Sequence, residues 1–271
     1  MKKLTALLLA ALVLVSACLS FTACGGASDW KAIQEKGYFY CGITYYEPMN
    51  YIDENGDLVG FDTEFAQAVA EVLGVEAKFS LIQWGSKYIE LNGGAIDCIW
   101  NGFTFGNESD GTPRSNYVDF TYSYLNNSQC VVTKKNSGLD SAAAFAGKTG
   151  TAEASSAGEA IAKELAGEGG TYTPVTAQTN ALMEVLAGTS DFAVIDLLMA
   201  NAMVGKGDYA DLEINTAYTP DPEVYAIGCR KDSDFTAKIN EAIKTLSANG
   251  KLAEIAAKYG VSNALIENIG A

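Results

Sequence analysis

Along the chain, short runs of β-branched and aromatic residues alternate with longer stretches in which apolar residues recur every three or four positions, the signatures of buried strands and amphipathic helices. From Trp30 the pattern predicts a short helix to Gly37, a strand from Tyr38 to Tyr45, and a hairpin-like excursion between Tyr51 and Phe61 around the turn Asp53-Glu54-Asn55-Gly56-Asp57. Asp62 stands where an N-cap belongs, ahead of a helix from Thr63 to Leu73 with Phe65, Val69, Val72 and Leu73 at helical spacing and Gly74 as its stop. A strand from Ala77 to Ile82, a loop at Trp84, a helix from Ser86 to Leu91 closed by Gly93-Gly94, and a strand opening at Ile96 complete a first α/β set. The pattern changes between Val118 and Lys134, where Gln129 to Thr133 reads as a new strand. A second set follows: strand Thr149 to Ala152, helix Ala157 to Leu165, strand Thr171 to Val175, helix Ala181 to Leu186, strand Phe192 to Ile195, and a helix opening at Asp196 and running to Val204. One more strand, Tyr225 to Arg230, precedes two terminal helices, Phe235 to Ala248 and Lys251 to Tyr259. Such alternation predicts an α/β fold with a mixed, mostly parallel sheet in each of two lobes. The lobes would be joined near Tyr124 and again near Gly228, giving lobe 1 residues 30–124 plus 228–271 and lobe 2 residues 125–227.

The stretch Ile96 to Phe120 carries the candidate chemistry. Its apolar opening reads as a buried strand, which breaks at Asn101-Gly102 into a polar loop holding Arg114. Strand ends of α/β sheets are where ligands sit, because a turn there exposes backbone N–H groups on a rigid frame. Gly102 and Thr104 could supply such donors, and Arg114 a planar fork shaped for a carboxylate. Taken without the rest of the chain, Arg114 reads first as pairing with a surface acid such as Asp119 or Asp110.

Composition narrows the chemistry. A formal charge of −15 makes nucleic acid and anionic membrane surfaces poor partners. The chain has no histidine, which removes histidine triads, histidine-ligated zinc and imidazole proton shuttles. Of six cysteines, Cys41, Cys98, Cys130 and Cys229 lie in apolar, strand-like runs and read as buried free thiols; Cys41 with Cys98 is the pair a disulfide would join if their strands are adjacent. Gly147-Lys148-Thr149 is not a phosphate loop, since Ala142 stands where the loop's first glycine is required.

The first residues form a separate unit. Lys2 and Lys3 precede an apolar run from Ala6 to Val15 and then small residues, the layout of a secretory signal and too short for an ordinary membrane span. Cys18 and Cys24 both fit a lipidation site; Cys24 is preferred because Gly-Gly-Ala-Ser follows it as a tether before the fold begins. On this reading residues 1–23 are a lipoprotein signal peptide and 24–29 a tether. Cleavage removes two lysines and no acids, taking the charge from −15 to −17.

Four segments, GFDTEFAQAVAEVLG (60–74), WGSKYIELNGGAIDCIWNGFT (84–104), TPRSNYVDFTYSY (112–124) and ANGKLAEIAAKYG (248–260), resemble the extracellular amino-acid-binding proteins of ABC importers, family 3, which have the type II periplasmic-binding-protein fold. The resemblance covers nearly all of the chain after the signal. It implies a two-lobed clamshell that acts as a monomer, is anchored by lipid to the outer face of the cytoplasmic membrane, and delivers an amino acid to a membrane permease without cofactor or metal. By the same resemblance Arg114 grips the ligand α-carboxylate with help from Thr104, and Asn101 and Gly102 line the same spot, the Gly102 carbonyl accepting from the ammonium. Asp196 pairs with the α-amino group, Ser155 and Ser156 complete the carboxylate site from lobe 2, and Tyr46 and Trp84 sandwich the side chain.

The sequence departs from the family pattern in the inserted Asn107-Glu108-Ser109-Asp110-Gly111 before Arg114, in Ala157 where a hydroxyl is common, and in Glu47, read as solvated rim. Taken without the resemblance, Tyr46 and Trp84 are equally lobe core, and Asp196 a helix N-cap. The expected ligand is a polar or sulfur-containing amino acid. Other functions of such a fold would be a dehydratase, for which Glu47 and Glu153 are the candidate acids, or a sensor that presents its closed state to a membrane receptor.

Overall fold

The computed structural model describes residues 28–219 and 221–270, so the signal segment and both candidate lipidation cysteines lie outside the described residues. Among the described residues no helix is long and apolar enough to cross a membrane.

The first half runs α1 (Asp29–Lys36), β1 (Tyr38–Ile43), a hairpin of β2 (Tyr51–Ile52) and β3 (Leu58–Val59), α2 (Phe61–Leu73), β4 (Glu76–Leu81), α3 (Lys87–Asn92), β5 (Cys98–Ile99) and β6 (Asp119–Phe120). The second runs β7 (Leu125–Lys134), β8 (Thr149–Glu153), α4 (Ala157–Ala166), β9 (Thr171–Val175), α5 (Gln178–Ala187), β10 (Phe192–Asp196), α6 (Leu197–Met203), β11 (Leu212–Asn215) and β12 (Pro222–Tyr225). The chain then returns through β13 (Gly228–Cys229), α7 (Phe235–Ala248) and α8 (Lys251–Lys258).

Two mixed sheets result, with strand orders β4-β1-β5-β13-β6 and β11-β7-β10-β8-β9, the second extended by β12 against β7. Parallel pairs are those made through helical crossovers, β4 with β1, β1 with β5, β8 with β10 and β8 with β9. Apart from the β2–β3 hairpin, the antiparallel pairs involve β7 or β13, which enter their sheets directly after the chain crosses from one to the other. The two crossings lie side by side, because the first half of β7 pairs with β12, Leu125 opposite Tyr225 and Ser128 opposite Pro222.

Each sheet buries its apolar residues against helices. In the first, α2 places Phe61, Phe65, Ala66 and Val69 on the sheet beside Ile239, Ile243 and Leu246 of α7, while Phe65 meets Trp100 edge-on. In the second, Val131, Phe145, Phe192 and Val194 form a core of their own.

Three sequence expectations need correction. Asp62 is not an N-cap: Gly60 occupies that position, and Asp62 is buried in the first turn, where Oδ2 accepts from Gly102 N–H at 2.7 Å and from the Tyr124 hydroxyl at 3.1 Å. The apolar run from Ile96 pairs as a strand only at Cys98–Ile99; Trp100 N–H still bonds Gly42, and beyond it the chain leaves this sheet and bridges at Thr104 to Tyr225 of β12. The run Tyr225 to Arg230 splits between β12 and β13, which belong to different sheets. Cys41 and Cys98 are register partners on adjacent strands with sulfurs 3.8 Å apart, and both are free thiols, as are Cys130 and Cys229.

Candidate functional site

Between the two sheets lies a cavity lined by Trp84, Asn101, Gly102, Thr104 and Arg114 from the first sheet's segments and by Glu153, Ser156, Ala157, Gln178 and Asp196 from the second's. It is nearly closed, with a volume of about 10 Å³, the room of a single water-sized sphere.

Arg114 opens a one-turn 3-10 helix and is 1% exposed. Its guanidinium lies 5.1 Å over the Phe103 ring; Nη1 donates to the Thr104 carbonyl at 3.2 Å and Nη2 to the Ser155 carbonyl of the opposite side at 3.3 Å. On its remaining edge Nε is 3.3 Å from Glu108 Oε1 but is not aligned for a hydrogen bond, so the contact is coulombic. Arg114 therefore pairs with neither Asp119 nor Asp110. Asp119 is bound to Lys231 at 2.5 Å, and Asp110 accepts from Thr112 N–H. The partner, Glu108, comes from the inserted segment ahead of Arg114 and also holds buried Lys87 at 3.3 Å and the Tyr88 hydroxyl. Lys87 donates to the Ser155 carbonyl as well, at 3.2 Å, and burial pulls its pKa down to about 8 although Glu108 opposes this.

Ser155 and Ser156 stand where strand β8 turns into α4. Ser155 has a left-handed backbone, φ +63°, and its N–H is committed to Glu159 Oε2 at 2.8 Å, so it offers its carbonyl to the cations rather than an N–H to an anion. Ser156 is the N-cap of α4 and lines the cavity with Ala157, so the helix presents its positive end there.

Asp196 closes β10 opposite Gln129. It occupies the N-cap position of α6 without capping it; its carboxylate instead accepts from Asn127 at 2.7 Å, from Gln129 at 2.8 Å and from Gln178. Gln178 also accepts from the Asp196 N–H at 2.9 Å, which fixes the aspartate's backbone and side chain with one amide. Asn127 and Gln129 donate to Glu223 as well, at 2.6 and 2.8 Å, and Thr104 adds a hydroxyl bond to Glu223 at 3.2 Å. Burial and then the neighbouring Asp196 charge push the Glu223 pKa up to about 7.

The other sequence-named residues divide. Trp84 lines the cavity, edge-on to Phe103. Tyr46 does not: it lies behind Gly102, its hydroxyl 2.6 Å from that of Tyr225. Gly102 has φ +54°, and a Cβ there would meet Tyr46 Cε1 at 2.7 Å, so the close approach needs glycine. Its N–H is taken by Asp62, leaving its carbonyl, with the Thr104 N–H, unpaired among the described residues. The Asn101 side chain is engaged by Thr44 and Asn50 and holds the loop, so only its backbone is available to a ligand. Glu47 lines a separate surface groove with Tyr51 and Tyr259.

Sequence reasoning missed Lys87, Glu108, Gln178 and Glu223. One signal was present: the strand Leu125–Lys134 opens with four consecutive polar residues, Asn126 to Gln129, ahead of an apolar run, and the period of two puts Asn127 and Gln129 on one face, which is buried.

Residues 40–262 match the profile of the bacterial extracellular solute-binding proteins, family 3. The arginine-binding extracellular protein ArtP of Bacillus subtilis is 30% identical over 92% of this chain and 96% of its own length. The L-cystine-binding protein TcyA of the same organism is 28% identical over 93% and 96%. Among solved structures, an ABC uptake transporter substrate-binding protein from Streptococcus pneumoniae with bound histidine superposes with a TM-score of 0.78 at 31% identity, covering 88% of this chain and 98% of that one.

Proposed function

The chain belongs to the bacterial extracellular solute-binding proteins, family 3, and on that premise we propose that the inter-sheet cavity captures one free amino acid and that the loaded protein delivers it to the permease of an ABC importer. The observation that carries this reading is that Arg114 and Asp196, from different sheets, line one cavity. A zwitterion needs a cationic and an anionic contact at opposite poles, and when these belong to separate lobes the ligand itself completes the closed state. In this reading the α-carboxylate takes the Nη edge of Arg114, the Thr104 N–H, the Ser156 hydroxyl and the positive end of α4. The ammonium takes Asp196 and the Gly102 carbonyl, and Trp84 flanks the side chain. The lobes are residues 30–124 plus 228–271 and residues 125–227. Because about 10 Å³ admits no amino acid, capture requires them to part, and the paired crossings of β7 and β12 are the hinge.

The named relatives bind arginine or cystine, and the superposed structure holds histidine, so these three lead the ligand screen. The protein works as a monomer without turnover, held to the membrane through Cys24. Calorimetry and thermal shift with the tagless mature domain test the reading: one or more amino acids should raise the melting temperature and be recovered unchanged. Failure of every amino acid and of cystine to bind would refute it.

A further inference from the structure

Resting on this reading of the site, the geometry points to Glu153 as the residue that selects among amino acids, in favour of a ligand whose side chain carries a positive charge. Glu153 closes β8, the strand parallel and adjacent to β10, which Asp196 closes; the two carboxylates stand at neighbouring strand ends and line the same cavity. They differ in partners. Asp196 accepts from three side-chain amides, whereas Glu153 is 3% exposed and its Oε1 has no hydrogen-bond partner among the described residues. A buried carboxylate oxygen left without a donor is costly, and a polar wall that lacks its complement is a specificity element when a ligand can supply it.

Charge points the same way. Around the cavity Arg114 and Lys87 are the cations, and both are drawn to Glu108 and to the Ser155 carbonyl. That leaves Asp196, Glu153 and Glu223 without a cation in contact among the described residues. A zwitterion brings one positive and one negative group, matched by Asp196 and Arg114, and offers Glu153 no counter-charge. A cationic amino acid brings a second positive charge. Burial, and then the Asp196 charge, push the Glu153 pKa up to about 8 against the opposing pull of Lys87, as expected of a carboxylate whose counter-charge is missing. With its ammonium on Asp196, such a ligand presents its side-chain cation to the next strand end.

The test compares pairs that share a shape and differ in side-chain charge, L-arginine with L-citrulline and L-lysine with L-norleucine, by calorimetry on the wild-type mature protein and on Glu153→Gln. The wild type should bind at least one cationic member roughly tenfold or more tightly than its neutral counterpart. Glu153→Gln should bring that ratio toward one, mainly by weakening the cation. Equal wild-type affinity within both pairs, stronger binding of cystine than of either cation, or a ratio that survives Glu153→Gln would each overturn the proposal. A loss that weakens charged and neutral members alike would place Glu153 on the ammonium and overturn it too. Since the wild-type ratio is itself a test, a poorly folding variant leaves the proposal refutable. Neutral amino acids binding in an Arg114-dependent way as tightly as the cationic ones would sink this inference and keep the site; no binding by any amino acid would sink both.

Discussion

Replacing Arg114 with alanine separates recognition from folding most sharply. The guanidinium is fully enclosed, stacked over Phe103 and bonded to two carbonyls, one from each side of the cleft. Removing one partner of a buried, hydrogen-bonded charge pair costs about 2–5 kcal/mol of binding, so affinity for the preferred amino acid should fall by a factor of about 30 to several thousand. Stability falls as well, because Glu108 loses a counter-charge; since it keeps Lys87 and the Tyr88 hydroxyl, the cost should stay near the lower end for a broken buried pair, about 3 kcal/mol. Arg114→Lys keeps the charge but has no planar fork, so it should restore much of the stability and little of the affinity. Calorimetry supplies the dissociation constants, and denaturant unfolding monitored by tryptophan fluorescence supplies the stability. An Arg114→Ala protein that unfolds cooperatively and binds within a few-fold of the wild type would refute the assignment of the carboxylate to this residue.

Asp196→Asn should weaken binding by at least about 2 kcal/mol, read as a dissociation constant, because an amide there also points N–H groups at the donors of Asn127, Gln129 or Gln178. Gly102→Ala should lower stability by about 2–4 kcal/mol in denaturant titration, through the left-handed backbone and the contact at 2.7 Å with a Tyr46 ring pinned by Tyr225. The melting temperature should fall as pH rises from 5 to 8. Asp62 and Glu223 titrate near 7 and Glu153 near 8 in the fold, all above their unfolded values, so the native state holds extra protons whose stabilisation is complete below the unfolded pKa and is lost through the folded one. Asp62→Asn imitates the protonated form and should flatten that slope; an unchanged slope would remove Asp62 from the account.

Local signals made much of the fold legible. Helix α7 follows its expected span from Phe235 to Ala248, and β9 from Thr171 to Val175, because spacing and bounding residues agree there. Strands β6, β11 and β12 escaped notice: they are two to four residues long, and their partners lie far along the chain. Arg114 and Asp196 could be read because each stands at a strand end and fits a family pattern. Lys87 could not. In its segment it reads as the solvated face of a short helix, and only packing against the opposite side makes it 1% exposed. Glu108 was visible merely as part of an insertion, and Glu223 as an acid beside Pro222; each gains meaning from neighbours that the sequence does not place beside it.

The inserted segment then has a physical role. Glu108 holds Arg114 by the Nε edge and Tyr88 holds Glu108, so the guanidinium is aimed with Nη1 and Nη2 toward the cleft before any ligand arrives. Those two nitrogens make bonds of 3.2 and 3.3 Å to neutral carbonyls, longer than charge-assisted bonds to a carboxylate, so an incoming α-carboxylate can replace them by stronger ones. Lys87 meanwhile keeps its own bond to the Ser155 carbonyl, and that carbonyl is held in place by the Ser155 N–H bond to Glu159. When the lobes reclose on a ligand, the Lys87 contact can therefore re-form beside a carboxylate seated on Arg114. A Glu108→Gln variant should accordingly lose affinity through a less fixed Arg114 for charged and neutral ligands alike, where Glu153→Gln discriminates between them; the two variants having the same ligand profile would show that positioning and selection are not separate in this site.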